Sequence, residues 1–290
     1  MGDLVYLTDR VSQAAWLPDG PGAGCLISLP SDLVTHAELQ ALRATGFIGA
    51  ALLAFLMQGL APHARVRGSW RLNGELWIVD TAVIGAVCGA CGFTAAAWAA
   101  RTGFGVLNRV AAGPWTAIAV TIVLLDLVSY GWHRANHRVS FLWRLHQVHH
   151  SDPSFTVSTG LRFHPGELLL SLPVRLAAVV LIGAPVAAVL VFEIVFTFAN
   201  LMEHGDISLP RRAETWIASV CVTPALHRRH HRKVAPDRDS NFATIFSLWD
   251  RVFGTFTPND SRTRIETGLP WTGSLSLSRA LALPFRRFAR

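Results

Sequence analysis

Charge is what this sequence has least of. Asp, Glu, Lys and Arg make up 16% of its 290 residues, where a soluble globular chain carries about a quarter. With 51% hydrophobic residues and a mean hydropathy of +0.36, the shortfall excludes an ordinary soluble domain and points to a membrane. Cysteine is scarce: Cys25, Cys88, Cys91 and Cys221 do not make a disulfide framework. Cys88 and Cys91 spell C-G-A-C inside an unbroken apolar run, where a thiolate is costly. They read as small packing residues, with Gly85 and Gly89 letting a neighbouring helix approach closely. No basic stretch leads into an apolar core at the start, so residues 1–34 read as a loop-rich segment and not a signal peptide. Lysine is nearly missing. All but Lys233 of the 26 basic residues are arginine, and the net charge is +7. Such a balance suits nucleic acid or the arginine excess of cytoplasmic loops, and the apolar runs favour the second, with no nucleic-acid partner.

Those runs are what the sequence has in abundance. Thr35 and Glu38 have capping-box spacing ahead of an apolar stretch over 44–61. Further spans are expected over 76–100, with Asp80 near its start, and over 115–132, with Asp126 inside it. The block 168–201 is too long for one span and tight for two, so it reads as a helical hairpin turning at Gly183-Ala184-Pro185. Arg65, Arg67 and Arg71 mark one short loop and Arg101 and Arg109 another. The segments 133–167 and 202–240 are richer still, which assigns them to the cytoplasmic side. The expected fold is all-α: an integral membrane helical bundle of about three spans plus the hairpin, with a cytoplasmic histidine-rich helical cap. Residues 35–290 form a single domain on this reading, and the segment from His204 onward does not span.

Histidine is the other surplus, at 12 residues. Three clusters flank the apolar blocks: His133 and His137; His146, His149 and His150; His227, His230 and His231. Spacings of three and four residues put imidazoles on one helix face. His164 and His204 lie between the clusters, and His36 and His63 stand apart. The run H-R-R-H-H-R-K could be a basic patch on lipid headgroups, but three clusters of matching spacing point to metal, for which neutral imidazole is a common ligand. Eight to ten such nitrogens suit two ions with four or five ligands each. The H-E-x-x-H of zinc proteases is absent, and carboxylates are too few for a carboxylate-bridged di-iron bundle. Nearby acids read as groups that orient imidazoles. Asp126, Tyr130, His133 and His137 share one helix face, so Asp126 is expected to orient the site. Such a metal site leaves two readings open. One is a membrane metal carrier or sensor. The other is a zinc-dependent hydrolase, for which only Glu167 and Glu203 could serve as base.

Over roughly residues 120–258 the chain resembles the fatty acid hydroxylase and sterol desaturase superfamily of membrane-bound, histidine-rich di-iron oxygenases. The resemblance lies in D-L-V-S-Y-G-W-H-R-A-N-H, L-W-R-L-H-Q-V-H-H-S-D, L-R-F-H-P-G-E, the lone His204, T-P-A-L-H-R-R-H-H and the closing run D-S-N-F-A-T-I-F-S-L-W-D-R-V-F-G-T-F over 239–256. It implies a helical membrane enzyme, in the bacterial inner membrane or the endoplasmic reticulum, holding two non-haem irons. With dioxygen it would hydroxylate or desaturate a lipid-like substrate from the bilayer: a sterol, fatty acyl chain, carotenoid or other isoprenoid. Electrons would come from NAD(P)H through a separate donor of the ferredoxin or cytochrome b5 type. Zinc could replace iron in purified protein. The implied ligands are His133, His137, His146, His149, His150, His227, His230 and His231, with His204 a ninth. Asn200 stands where some relatives have another histidine, so His164, or a water held by Asn200, would complete the set. Glu167 would cap the hairpin helix or support the site, and Trp249 and Phe253 would pack beneath it.

Overall fold

The computed structural model describes residues 35–66, 68–234, 237–258 and 266–286. The segment 1–34 with Cys25, and Arg67 of the first expected loop, lie outside the described residues. Among those residues the chain is helical, with isolated β-bridges and no strand. Among the described residues five stretches are long and apolar enough to cross a membrane: Ala37–Leu60, Trp70–Thr102, Pro114–Arg138, Pro165–Ile182 and Val186–Glu203. The chain is an integral membrane protein.

Helix α1 (His36–Leu60) opens on the expected box. The Thr35 amide donates to Glu38 Oε2 (2.6 Å) and the Glu38 amide to Thr35 Oγ1 (3.2 Å). The second apolar stretch is two helices, α2 (Trp70–Cys88) and α3 (Cys91–Thr102). The chain breaks at Gly89-Ala90, and Cys88 and Cys91, which flank the break, are bonded to each other. This corrects the reading of two packing thiols, which rested on an unbroken helix. Helix α3 ends on Gly103 at φ +64, in the left-handed region that glycine tolerates. Helix α4 (Pro114–Arg138) runs from the apolar span through His133 and His137 without a break. The hairpin is α6 (Pro165–Ile182) and α7 (Val186–Glu203), reached from α5 (Ser140–His150) through a 3₁₀ turn at Val157–Leu161. Its corner needs Gly183. The φ there is +70, and a Cβ would sit 2.8 Å from Asn108 Nδ2.

The chain divides into two compact units. The first reaches to Thr45 and includes Ala90–Leu125 and Val174–Glu193. In it Arg43 Nε meets Glu193 Oε2 at 2.8 Å, an ion pair within apolar helices. The second, Gly46–Gly89, Asp126–Pro173 and Ile194–Arg290, carries every histidine of the three clusters. Four short helices lie in it: α8 (Arg211–Ala218), α9 (Pro224–His230), α10 (Leu248–Val252) and α11 (Leu277–Ala282). Its apolar packing gathers around the histidine-bearing segments. Val148, between two candidate ligands, is buried against Leu72, Leu76, Ala280 and Leu283. Tyr130, one turn before His133, packs on Phe242 and Ala243. Val157 packs on Ala54 and Leu201. Helix burial on this scale fixes where each imidazole starts from.

Candidate metal centre

Four pieces of chain deliver nine imidazoles. The last turns of α4 supply His133 and His137. Helix α5 presents His146, His149 and His150, and His204 follows the end of α7. Helix α9 supplies His227 and His230, with His231 at its cap. Local chemistry sets α9: Thr223 Oγ1 accepts the Leu226 amide (3.3 Å) and Pro224 occupies the first turn. The rings sort into two groups. His133, His137, His146, His150 and His230 form one; His149, His204, His227 and His231 form the other. Within each group, one ligand atom per residue lies within 4.8 Å of all the others, an arrangement that could hold a metal ion. The groups adjoin, with the His150 and His231 rings stacked at 4.2 Å and 15°. Sequence spacing brought early and late clusters no nearer than 77 residues, His150 to His227; the fold brings His149 and His231 to 4.6 Å.

In the first group the outer nitrogen of most rings is engaged and the inner one is left bare. His133 Nδ1 donates to the Phe242 carbonyl (2.8 Å) and His230 Nδ1 to the Ser240 carbonyl (2.7 Å). His146 Nδ1 donates to Glu167 Oε1 (2.9 Å), and His137 Nδ1 reaches Asp239 Oδ1 at 3.4 Å. Each acceptor keeps the proton on Nδ1 and so leaves a lone pair on Nε2. The Nε2 atoms of His133, His137, His146, His150 and His230 are buried without a hydrogen-bond partner. Five buried polar atoms left bare together would be a heavy penalty in a finished core; close together as they are, they could hold a metal ion.

The second group is tighter. His204 Nε2 lies 3.0 Å from His149 Nε2, 3.2 Å from His231 Nε2 and 3.0 Å from His227 Nε2. About 3.0 Å is the edge between neighbouring nitrogens bound at ~2.1 Å around one cation at right angles. Two of the four outer nitrogens are fixed: His149 Nδ1 donates to the Arg162 carbonyl (3.1 Å) and His204 Nδ1 to the Asn200 carbonyl (2.6 Å). Glu203 Oε2 stands 3.6 Å from His227 Nδ1. Arg162 is itself fully buried. It donates to the Val148 carbonyl (2.9 Å), Asn73 Oδ1 (3.0 Å) and Ser151 Oγ (2.8 Å), and its charge faces Asp152 at 4.0 Å. Asp152 in turn accepts from Ser69 (2.9 Å), Asn73 (2.9 Å) and Thr159 (2.8 Å). A rigid polar frame thus holds the carbonyl that holds His149.

Burial drives the imidazoles of His149, His150, His227, His230 and His231 well below their ordinary pKa, and neighbouring histidines add to it. His204 is brought down to about 4, mainly by burial. The rings are therefore neutral at pH 7, the protonation state a metal needs.

The other candidates fall elsewhere. His164 is outside both groups: its Nε2 donates to the Leu281 carbonyl (3.2 Å) and its Nδ1 accepts the Gly166 amide (3.0 Å). Asn200 directs its amide to the Gly160 carbonyl (2.7 Å) and only its backbone oxygen to His204. Neither fills a tenth position. Glu167 bonds His146 and also accepts from Asn136 (2.9 Å). Asp126 does not orient an imidazole directly, as its helix face had suggested. It receives the Ile245 amide (3.1 Å), the Phe246 amide (3.0 Å) and the Trp249 indole (2.9 Å). It lies seven residues before His133, about 10 Å along the helix, and reaches the site only through that segment, whose Phe242 carbonyl holds His133. Tyr130 bonds Thr255 Oγ1 (2.9 Å) and stacks on Phe253 (5.3 Å). The residues that sequence reasoning missed are Asn136, Asp239, Arg162 and the carbonyls of Ser240 and Phe242. Carbonyls leave no trace in a sequence. Asn241, between Ser240 and Phe242, takes a φ of +53 in the closing run.

A sequence profile of the fatty acid hydroxylase family matches residues 118–255. Residues 118–255 are similar to that family. The matched region carries all nine clustered imidazoles. Among curated relatives, an ornithine lipid hydroxylase of Rhizobium tropici is 32% identical over 176 residues, 60% of this chain and 51% of its own length. An alkylglycerol monooxygenase of Danio rerio is 32% identical over 143 residues, 48% of this chain and 30% of its own. A cholesterol 25-hydroxylase of Rattus norvegicus is 26% identical over 144 residues, 48% of this chain and 46% of its own. The chain thus spans about half or less of these curated relatives of the hydroxylase family. No solved structure matches it significantly.

Proposed function

We propose that the chain is a membrane non-haem di-iron oxygenase that hydroxylates a lipid-like substrate with dioxygen and external reducing equivalents. One observation carries this: five buried imidazoles with bare Nε2 atoms beside four whose Nε2 atoms crowd together, in a chain of membrane-spanning helices. The named relatives, lipid hydroxylases and monooxygenases, support the reaction class. Desaturation starts from the same hydrogen abstraction and is the neighbouring outcome. Arginine excess in 133–167 and 202–240 supports a cytoplasmic site, where an NAD(P)H-linked ferredoxin or cytochrome b5 type donor would supply electrons.

The residues fit the metal pair. His133, His137, His146, His150 and His230 would hold one ion and His149, His204, His227 and His231 the other. A bound iron pair would supply the redox chemistry that dioxygen requires. What the chain supplies is order. Phe242 and Ser240, through their carbonyls, and Glu167 hold three rings in one tautomer. Phe163 stacks on His149 at 4.6 Å and 7°, and Trp143 and Phe242 line the first group, so water is kept from the nitrogens. Glu167 and Glu203, the two acids a hydrolase would need as base, lie beside the Nδ1 side of ligand rings. That placement suits orientation better than attack by a metal-bound water, and the imidazoles gather at helix ends, unlike a mid-membrane carrier site.

The test is metal content and oxygen uptake on protein purified without chelators. About two irons per chain, with reductant-dependent oxygen uptake and a product heavier by one oxygen from a lipid extract, is the expected result. Tight zinc and no oxygen uptake after iron reconstitution would return the chain to a carrier or hydrolase.

A further inference from the structure

The polar C-terminal part, expected to stay out of the membrane, carries an exposed apolar face. On α8 and just beyond it, Trp216 is 78% exposed, with Ile217 and Val220 also exposed. On α10, Val252 is 62% exposed, with Leu248 and Phe253 also open. These residues form one surface. The Ser247 amide bonds the Val220 carbonyl (3.0 Å), and Ser247 Oγ (2.8 Å) and Arg251 Nη2 (2.9 Å) bond the Ala218 carbonyl.

The depth of this surface can be read from α4. Trp115, 81% exposed at the start of that helix, has the character of an interfacial anchor. At 1.5 Å per residue, Asp126 lies about 18 Å along α4 from Pro114 and Tyr130 about 24 Å, both inside a hydrocarbon core of ~30 Å. Trp249 bonds Asp126 and Phe253 stacks on Tyr130. Helix α10 is therefore tied to the span at lipid depth, and its outer face cannot look into bulk water if α4 crosses. The rim is cationic. Arg211 and Arg212 are exposed at the start of α8. The one acid of that helix, Glu214, is turned away to accept from Thr223 (2.5 Å).

We propose that α8, the turn at 219–222 and α10 form a wedge seated in the leaflet beside the metal centre. Trp216, Ile217, Val220, Leu248, Val252 and Phe253 meet acyl chains, and Arg211 and Arg212 lie among anionic phospholipid headgroups. Such a surface is an in-plane amphipathic element rather than a span. It needs no metal and no turnover, so it stands or falls apart from the proposed reaction.

Site-directed spin labelling of the full chain in vesicles tests it. Cys25 and Cys221 are replaced by serine, and single labels are placed at Ile217, Val220 and Val252, with Val123 of α4 as a lipid-facing control and Ser278 as an aqueous one. Vesicles are phosphatidylcholine, with or without phosphatidylglycerol. The expected result is a collision rate with oxygen above that with a water-soluble nickel chelate at all three patch sites. R211E/R212E should shift those labels outward in phosphatidylglycerol vesicles and leave Val123 unmoved. Nickel accessibility like that of Ser278 overturns the wedge. Immobilised labels that neither collider reaches also overturn it, in favour of a second copy or another protein covering the face. Should labelled chains fail to fold, quenching by brominated lipid gives a second readout: W216F must lose part of the quenching seen in the unaltered chain, and equal quenching in both counts against the proposal.

Discussion

A histidine is a better ligand when its second nitrogen is spoken for, and this chain speaks for several of them in different ways. His133 and His230 use carbonyls, His146 a carboxylate shared with Asn136. Glu167→Gln keeps the shape but can present an N–H where an acceptor is needed. It should cost about 10- to 100-fold in metal affinity or turnover, measured as metal per chain against a competing chelator; unchanged retention would make Glu167 a simple helix cap. His149→Ala should abolish turnover while the protein still inserts in the membrane, and unaltered turnover would take α5 out of the mechanism. The nine rings were legible because helical spacing repeats in the sequence. Their acceptors were not, since a carbonyl belongs to every residue alike. His164, left open between ligand and support of the site, turns its ring to Leu281.

At the scale of elements, the spans and the hairpin corner were readable from apolar length and from glycine and proline. The break at Gly89-Ala90 was not, because a short interruption barely alters mean hydropathy. Asp126 shows the same limit: an acid among apolar residues announces that it has partners, but not that they are two amides and an indole 119 to 123 residues away. Asp126→Ala leaves those donors buried and unmet, at about 1–3 kcal/mol each. A lowered thermal midpoint in detergent is expected, with metal retention at permissive temperature. Arg162→Lys can keep the charge near Asp152 but not the fork that bonds Val148, Asn73 and Ser151 together. Metal bound by the second group should weaken more than metal bound by the first, a difference that anomalous-scattering occupancies of the two positions in one crystal would resolve; equal weakening would mean that the frame supports the fold alone.

For the whole molecule, stability should depend on both acid and metal. Imidazoles held below their ordinary range bind fewer protons in the folded chain than in the unfolded one. The stability these rings contribute to the metal-free protein is thus fully present above pH 6.5 and is lost as pH falls from there. His204 alone, moved from 6.5 to about 4, should contribute roughly 1.4 kcal/mol per pH unit over that window. Thermal midpoints of the metal-free protein between pH 7.5 and 5 should fall steeply, and metal should raise them at every pH where it binds. A flat profile would mean that the rings can be solvated without unfolding.

The stacked rings of His150 and His231 belong to different groups yet touch face to face. Whatever orders one ring narrows the freedom of the other. Filling either half of the centre lowers the entropic cost of filling the remaining half, so occupancy should rise in pairs, with singly loaded chains scarce at every point of a titration.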